Sequence, residues 1–128
     1  MTHAVAEWVE AYEALWRTPG TDDLADLFAP DVVYLPSPWA PPLHGLGALA
    51  AFWEAERDGP DEVFTMTSRV LAVDGDTAVV RVEVDYGTGS RWRDLWVLTF
   101  DPKGRCASFE EWPFAPRQPD GHEGASGT

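Results

Sequence analysis

The sequence predicts an α+β domain: a curved antiparallel sheet covered by three helices that precede it along the chain. Apolar residues recur at helical spacing in the first 16 residues and again over Gly45–Asp58. From Glu62 to Trp112, segments that alternate apolar and polar residues are separated by short turns, as in an antiparallel meander. Helices followed by strands that short turns join are typical of the α+β class.

The first two helices are short and end at clear breaks. The apolar stripe of the first helix consists of Val5, Trp8, Val9, Tyr12, Leu15 and Trp16. This helix ends at Thr18-Pro19-Gly20, since neither proline nor glycine continues a helix well. A second helix carries Leu24, Leu27 and Phe28, and Pro30 separates it from a strand over Asp31–Leu35.

The remaining elements follow in order. Pro36 to Pro42 must be a loop, because its prolines lack the amide hydrogens that a central strand needs. The third helix covers Gly45–Asp58 and buries Leu46, Leu49, Phe52 and Trp53. Four strands then cover Glu62–Val73, Thr77–Tyr86, Arg91–Phe100 and Arg105–Trp112. One domain over residues 1–114 and a disordered polar tail over 115–128 are expected.

Composition excludes several classes of function. The formal net charge of −13 disfavours binding to nucleic acid and to an anionic membrane surface. No apolar run is long enough to cross a bilayer, and the start of the chain lacks the basic region of a signal peptide, so we expect a cytoplasmic protein. Cys106 is the only cysteine, and the three histidines are scattered, so neither a disulfide nor a metal site is expected.

The hairpin from Arg81 to Trp96 is the most informative segment for function. If its turn centres on Thr88-Gly89, Glu83 lies opposite Asp94, and Arg81 lies opposite Trp96. One face of the hairpin then mixes carboxylates, a guanidinium and indoles, which is typical of a lined cavity. A turn longer by one residue would instead place Glu83 opposite Arg93, as in a structural ion pair.

The same register places an aliphatic surface on the other face of the hairpin. Val80, Val82, Val84, Leu95 and Val97 would form this surface. An exposed apolar face of this size is usually covered by another subunit, so we expect a homodimer.

Two carboxylates facing each other in a cavity favour acid–base chemistry. Glu83 and Asp94 could not both ionise easily, so one would act as a proton donor and the other as an acceptor. Arg81 would keep one of them ionised. The alternative is an ordinary ion pair or a solvated face, in which Arg81, Arg91 or Arg93 neutralises the acids.

Other residues are candidates for the wall of this cavity. Tyr34, Trp39, Tyr86, Trp92 and Trp96 could hold a flat apolar ligand, although ordinary core packing is the alternative. Met66 faces the cavity if the turn at Asp74-Gly75 has two residues. His44, just before the third helix, could bind a ligand or only cap a loop.

The last strand offers one further acid. Glu110 and Glu111 point to opposite faces, so at most one of them enters the cavity. The alternation of side chains along the strand does not decide which of the two glutamates faces the cavity.

The order of elements resembles the nuclear-transport-factor-2-like superfamily, specifically its SnoaL-like group. The resemblance rests on three segments, LADLFAPDVVY, LHGLGALAAFW and DLWVLTFDPKGRCASFEEW. It implies a cone-shaped sheet with a small-molecule pocket between its concave face and the helices, commonly in a dimer. Members of the group include isomerases, cyclases, dehydratases and epoxide hydrolases, and others only bind ligands.

A more distant resemblance, to limonene epoxide hydrolase, implies roles for three residues. RVEV is similar to the arginine and acid of that family, with Arg81 and Glu83 in those places, and Glu111 matches its final acid. The residues that position water differ, because Leu35 and Ser37 stand there and the chain has no asparagine.

The sequence therefore predicts a cofactor-independent enzyme that acts on a hydrophobic small molecule by acid–base chemistry. Its predicted catalytic residues are Arg81, Glu83, Asp94 and Glu111. The reaction would be isomerisation, cyclisation, dehydration or epoxide opening. The alternative is a ligand-binding or dimerisation module without catalysis, which would need no perturbed pair of acids.

Overall fold

A computed structural model describes residues 2–57 and 63–118 and has the predicted α+β architecture. The helices are α1 (Thr2–Trp16), α2 (Leu24–Leu27) and α3 (Gly45–Glu56). The strands are β1 (Phe28–Leu35), β2 (Leu43–His44), β3 (Thr65–Asp74), β4 (Thr77–Asp85), β5 (Arg91–Phe100) and β6 (Cys106–Phe114). Most of the predicted tail, from residue 119 onward, lies outside the described residues.

All six strands form one sheet in the order β2-β1-β6-β5-β4-β3. The strands from β3 to β6 form the predicted antiparallel meander, whereas β1 pairs with β6 in parallel. This parallel pair joins the N-terminal part of the chain to the C-terminal strand. We call the helix-covered face of the sheet the inner face and the opposite face the outer face.

The helices cover the inner face through aromatic packing. Trp8 and Tyr12 of α1 are 6% and 7% exposed, and Trp53 of α3 is fully buried. The Tyr12 ring lies 5.1 Å from the Trp53 ring and 5.7 Å from the Phe109 ring, between centroids. The apolar stripe predicted for α1 is therefore confirmed as core. Among the described residues, no helix is both long and apolar enough to cross a membrane.

The β4–β5 hairpin differs from the predicted register by one residue. Asp85 pairs with Arg91, so the loop between them has the five residues Tyr86–Ser90. Asp85 Oδ1 accepts a hydrogen bond of 2.8 Å from the Gly87 amide, and Gly87 and Gly89 adopt φ of +75° and +89°. Glycine adopts such angles without strain, so these two positions allow the wider loop.

This register overturns the predicted pairing of Glu83 with Asp94. Glu83 pairs with Arg93 instead, and the Arg93 Nε atom lies 2.9 Å from Glu83 Oε1 on the outer face. Arg81 pairs with Leu95, not with Trp96. The ion-pair alternative therefore holds for Glu83, because a shift of one residue moves every side chain of a strand to the other face.

The predicted dimer surface is also wrong, for the same reason. Val80 and Val82 are fully buried on the inner face, and Val84 is partly buried there. Leu95, by contrast, lies on the outer face and is 41% exposed. The valines therefore pack against the core and do not form the predicted exposed surface.

A pair of substitutions on β4 tests the register. Val82→Ala should lower the free energy of unfolding by about 2 kcal/mol, because it leaves a cavity in the core. Glu83→Ala should cost less than about 1 kcal/mol, because it removes only an exposed ion pair. Urea denaturation of both variants measures the difference, and a larger loss for Glu83→Ala would contradict the observed register.

Candidate active site

The inner face encloses a cavity of about 460 Å³ between the sheet and helices α1 and α3. Its walls are mostly aromatic, and its polar groups are carboxyl groups and tyrosine hydroxyls. The lining residues are Tyr12, Trp16, Tyr34, Pro36, Phe52, Glu56, Phe64, Met66, Val84, Tyr86, Trp92, Asp94, Trp96, Glu111 and Pro113. This composition suits a small molecule that is largely apolar.

Asp94 is the one charged residue classed as buried among the described residues, with 6% of its surface exposed. It reaches the cavity because Trp92, Asp94 and Trp96 alternate inward along β5. Its Oδ1 atom makes no hydrogen bond of good geometry with the described residues, although the Trp96 side chain is near enough to oppose the rise in the pKa of Asp94. A buried oxygen without a partner costs free energy, which is typical of a group that a ligand completes.

Glu111 lies beside Asp94 on the neighbouring strand. Glu111 pairs with Trp96 and Asp94 pairs with Pro113, so the two acids are diagonal neighbours on the inner face. Their side chains interact directly. Burial, the hydrogen bond to Asp94 and the charge of Asp94 raise the pKa of Glu111 well above its usual value.

The pKa of Asp94 is also raised by burial, but its hydrogen bond with Glu111 opposes that effect. The two carboxyl groups therefore cannot easily ionise together. With one proton between them, the pair offers a donor and an acceptor side by side at the floor of the cavity.

Two tyrosines extend this arrangement away from the acids. The Tyr34 hydroxyl donates a hydrogen bond of 3.4 Å to Glu111 Oε1. The hydroxyls of Tyr12 and Tyr34 also interact. Burial raises the pKa of both tyrosines well above the usual value, so both keep their protons. The Tyr34 hydroxyl thus connects Tyr12 to the pair of acids.

A comparison with known families assigns the fold. The family described as the SnoaL-like domain matches residues 9–109. The chain belongs to the SnoaL-like family. No curated protein sequence matches this SnoaL-like chain significantly.

Solved structures that are similar to this SnoaL-like chain include enzymes of several kinds. A steroid delta-isomerase from Pseudomonas aeruginosa is 21% identical with a TM-score of 0.64, covering 87% of this chain and 80% of its own. A candidate ketosteroid isomerase from Kribbella flavida is 25% identical with a TM-score of 0.68, and the match covers 96% of this chain and 87% of that isomerase. SalBIII, an epoxide hydrolase/cyclase-like enzyme in pyran ring formation, is 15% identical with a TM-score of 0.68, covering 85% and 89%.

The cavity of this SnoaL-like protein brings together six of the ten predicted site residues. These are Tyr34, Met66, Trp92, Asp94, Trp96 and Glu111. Of the two candidate glutamates on β6, Glu111 faces the cavity, whereas Glu110 accepts a 2.6 Å hydrogen bond from Trp112 on the outer face.

The other four predicted site residues lie elsewhere. Arg81 and Glu83 are exposed on the outer face, so the correspondence with limonene epoxide hydrolase fails at both positions. Trp39 is 98% exposed on the proline-rich loop. His44 is exposed where α3 begins and lines none of the described cavities.

Two side chains of the helices line the cavity although the sequence did not predict them there. Tyr12 belongs to the apolar stripe of α1, where an aromatic residue usually fills the core, so no signal separates it from its neighbours. Glu56 ends α3 one turn after Phe52, and a charged residue at the end of a helix carries no signal of its own for a cavity. Among the described residues, no cluster of three or more His, Cys, Asp or Glu side chains could hold a metal ion.

The raised pKa of Glu111 makes stability depend on pH. Because folded Glu111 holds its proton more tightly than an unfolded glutamate, ionisation destabilises the fold as pH rises above the unfolded pKa of about 4.3. Glu111→Gln stays neutral, so its free energy of unfolding should fall less between pH 5 and 8 than that of the native protein.

Urea denaturation at several pH values measures this difference. Glu110→Gln is the matched control, because it removes the same charge from the adjacent position on the outer face. Parallel pH profiles for the native protein and Glu111→Gln would contradict the raised pKa.

Proposed function

We propose that this SnoaL-like protein is an enzyme that moves protons on a small apolar substrate bearing a carbonyl group. The observation that carries the proposal is the direct interaction between the buried carboxyl groups of Asp94 and Glu111 at the floor of an aromatic cavity. General acid–base catalysis needs one acceptor and one donor within reach of the same substrate. The isomerase and cyclase relatives of the same fold are consistent with this chemistry.

Asp94 is the proposed general base. It removes a proton from the carbon next to the carbonyl group, and the electron pair of that C–H bond moves onto the carbonyl oxygen. Return of the proton to another carbon of the same system completes an isomerisation. In a cyclisation the resulting carbanion attacks a second carbonyl, and Asp94 returns its proton to the alkoxide that forms. In a dehydration the β-hydroxyl takes that proton from Asp94 and leaves as water.

Glu111 is the proposed acid that stabilises the developing negative charge on oxygen. A neutral carboxylic acid donates a strong hydrogen bond to such an oxygen in a cavity of low dielectric constant. Tyr34 supports Glu111 from behind, and Tyr12 supports Tyr34. The aromatic walls exclude water, which strengthens each of these hydrogen bonds.

The competing function is ligand binding without catalysis. Glu83 fits that alternative, because Arg93 neutralises it on the outer face. Asp94 does not fit it, because it is buried without a neutralising arginine among the described ion pairs. The homodimer and the cytoplasmic location stay predictions from the sequence.

Removing the base tests the proposed function directly. Asp94→Asn should lower kcat/KM by about 10²- to 10⁴-fold on any carbonyl substrate that the native protein turns over, because the amide cannot accept the proton. A panel of cyclic enones, β-hydroxy ketones and epoxides, followed by deuterium exchange and product analysis, identifies the substrate. Glu83→Gln is the control, since it removes a carboxylate from the outer face. Equal loss in both variants, or full activity in Asp94→Asn, contradicts the proposal.

The pH dependence of turnover tests the role of Tyr34. Its hydrogen bond to Glu111 favours the ionised glutamate and so lowers the pKa of Glu111. Tyr34→Phe should therefore move the basic limb of the kcat/KM profile to higher pH, because Glu111 keeps its proton longer. Trp39→Phe, at the exposed loop, should leave the limb in place. A shift to lower pH would contradict the direction of this hydrogen bond.

A further inference from the structure

The charges that line the inner cavity are all acidic. Glu56, Asp94 and Glu111 supply three carboxyl groups, and no lysine, arginine or histidine belongs to the lining. With one proton shared between Asp94 and Glu111, the cavity still carries net negative charge between aromatic walls. Such a cavity disfavours an anionic ligand through repulsion and through the cost of burying one more negative charge.

The guanidinium groups nearest to the cavity walls are already paired. Arg17 lies 3.8 Å above the Phe64 ring, but its Nη2 atom contacts Glu13 Oε2 at 2.8 Å. Arg57 contacts Glu54 Oε1 at 2.7 Å, donates to two backbone carbonyls and lies 5.9 Å from the Trp16 ring centroid. Both guanidinium groups are paired with other acids, and neither forms an ion pair with Glu56.

Glu56 marks the solvent end of the cavity. Its side chain is exposed, whereas Asp94 at the other end is 6% exposed. Glu56 makes none of the ion pairs found among the described residues. The rings of Trp16 and Phe52 line the cavity with it, and aromatic faces attract cations.

The buried end of the cavity can also bind a hydrogen-bond donor of a ligand. Asp94 Oδ1 makes no hydrogen bond of good geometry with the described residues, and when ionised this oxygen can only accept. A ligand therefore completes the site best if it brings a donor to Asp94 and a positive charge to Glu56.

We propose that the substrate is an amine: an apolar body with a protonated alkylamino group that lies between Glu56 and the rings of Trp16 and Phe52. The reacting end of the substrate lies at Asp94. This inference deepens the proposed function and rests on the same cavity. The amine sets which molecules enter, and the acids at the floor act on them.

Binding of three matched probes tests the charge preference. 4-Phenylbutylamine, 4-phenylbutan-1-ol and 4-phenylbutanoic acid share one apolar body and differ in charge at neutral pH. Calorimetry should find that the amine binds about tenfold tighter than the alcohol and that the acid binds most weakly. Added salt should weaken binding of the amine and leave binding of the alcohol unchanged.

Two variants that each remove one carboxylate test whether Glu56 causes the preference for the amine. Glu56→Gln should reduce the advantage of the amine over the alcohol to less than about threefold, since it removes the carboxylate at the solvent end. Glu10→Gln removes the same charge from the exposed side of α1, and Glu10 lines none of the described cavities. This control should keep the full advantage of the amine.

The outcomes separate this inference from the proposed function. Three results would refute the inference that the substrate is an amine. They are equal or tighter binding of the alcohol or the acid, no binding of any probe at millimolar concentration, and an unchanged preference for the amine in Glu56→Gln. If the protein prefers the amine but turns over no amino ketone, only the proposed enzymatic function is refuted. If it turns over neutral ketones in a reaction that depends on Asp94 and binds the alcohol more tightly than the amine, only the inferred amine substrate is refuted.

Discussion

The alternation of side chains along β5 is the constraint on which the candidate site depends. Asp94 faces the cavity only because the loop from Tyr86 to Ser90 has five residues. Pairing shifted by one residue would turn Asp94 outward and bring Arg93 in, so the cavity would lose a carboxyl group and gain a guanidinium group. The loop is held by the hydrogen bond from the Gly87 amide to Asp85, far from any reacting group. A backbone feature of the surface thus decides the chemistry of the interior.

The sequence predicts the order of the elements well because their periodicity is strong. The stripe on α1, the proline-rich loop and the strands of the meander each follow from spacing and from residues that break helices. The register of β5 does not follow, because apolar side chains occur on both of its faces, with Trp96 and Leu98 on one and Leu95 and Val97 on the other. The neighbouring strand β4 carries the pattern that indicates the correct register. Val80, Val82 and Val84 alternate with charged residues, as in a half-buried strand whose apolar side faces the core.

The candidate site was predicted in part, and the misses have one physical origin. Acids on strands can be found from sequence, because a buried carboxylate contrasts with its apolar neighbours. A tyrosine on the apolar side of a helix gives no such contrast, since its ring packs like phenylalanine while its hydroxyl reaches a distant partner. The connection from Tyr12 to Glu111 joins residues almost a hundred positions apart, and only the folded chain brings them together.

The two ends of the sheet are unequal. On one side β2 is only two residues long, and on the other β3 presents a ten-residue edge. An open edge of that length invites a strand from another molecule, which is a common route to aggregation. The pairing of β3 is interrupted between Val70 and Ala72, and exposed Arg69 and Asp74 lie to either side. A bulge and charged side chains at this edge obstruct the addition of a further strand from another molecule.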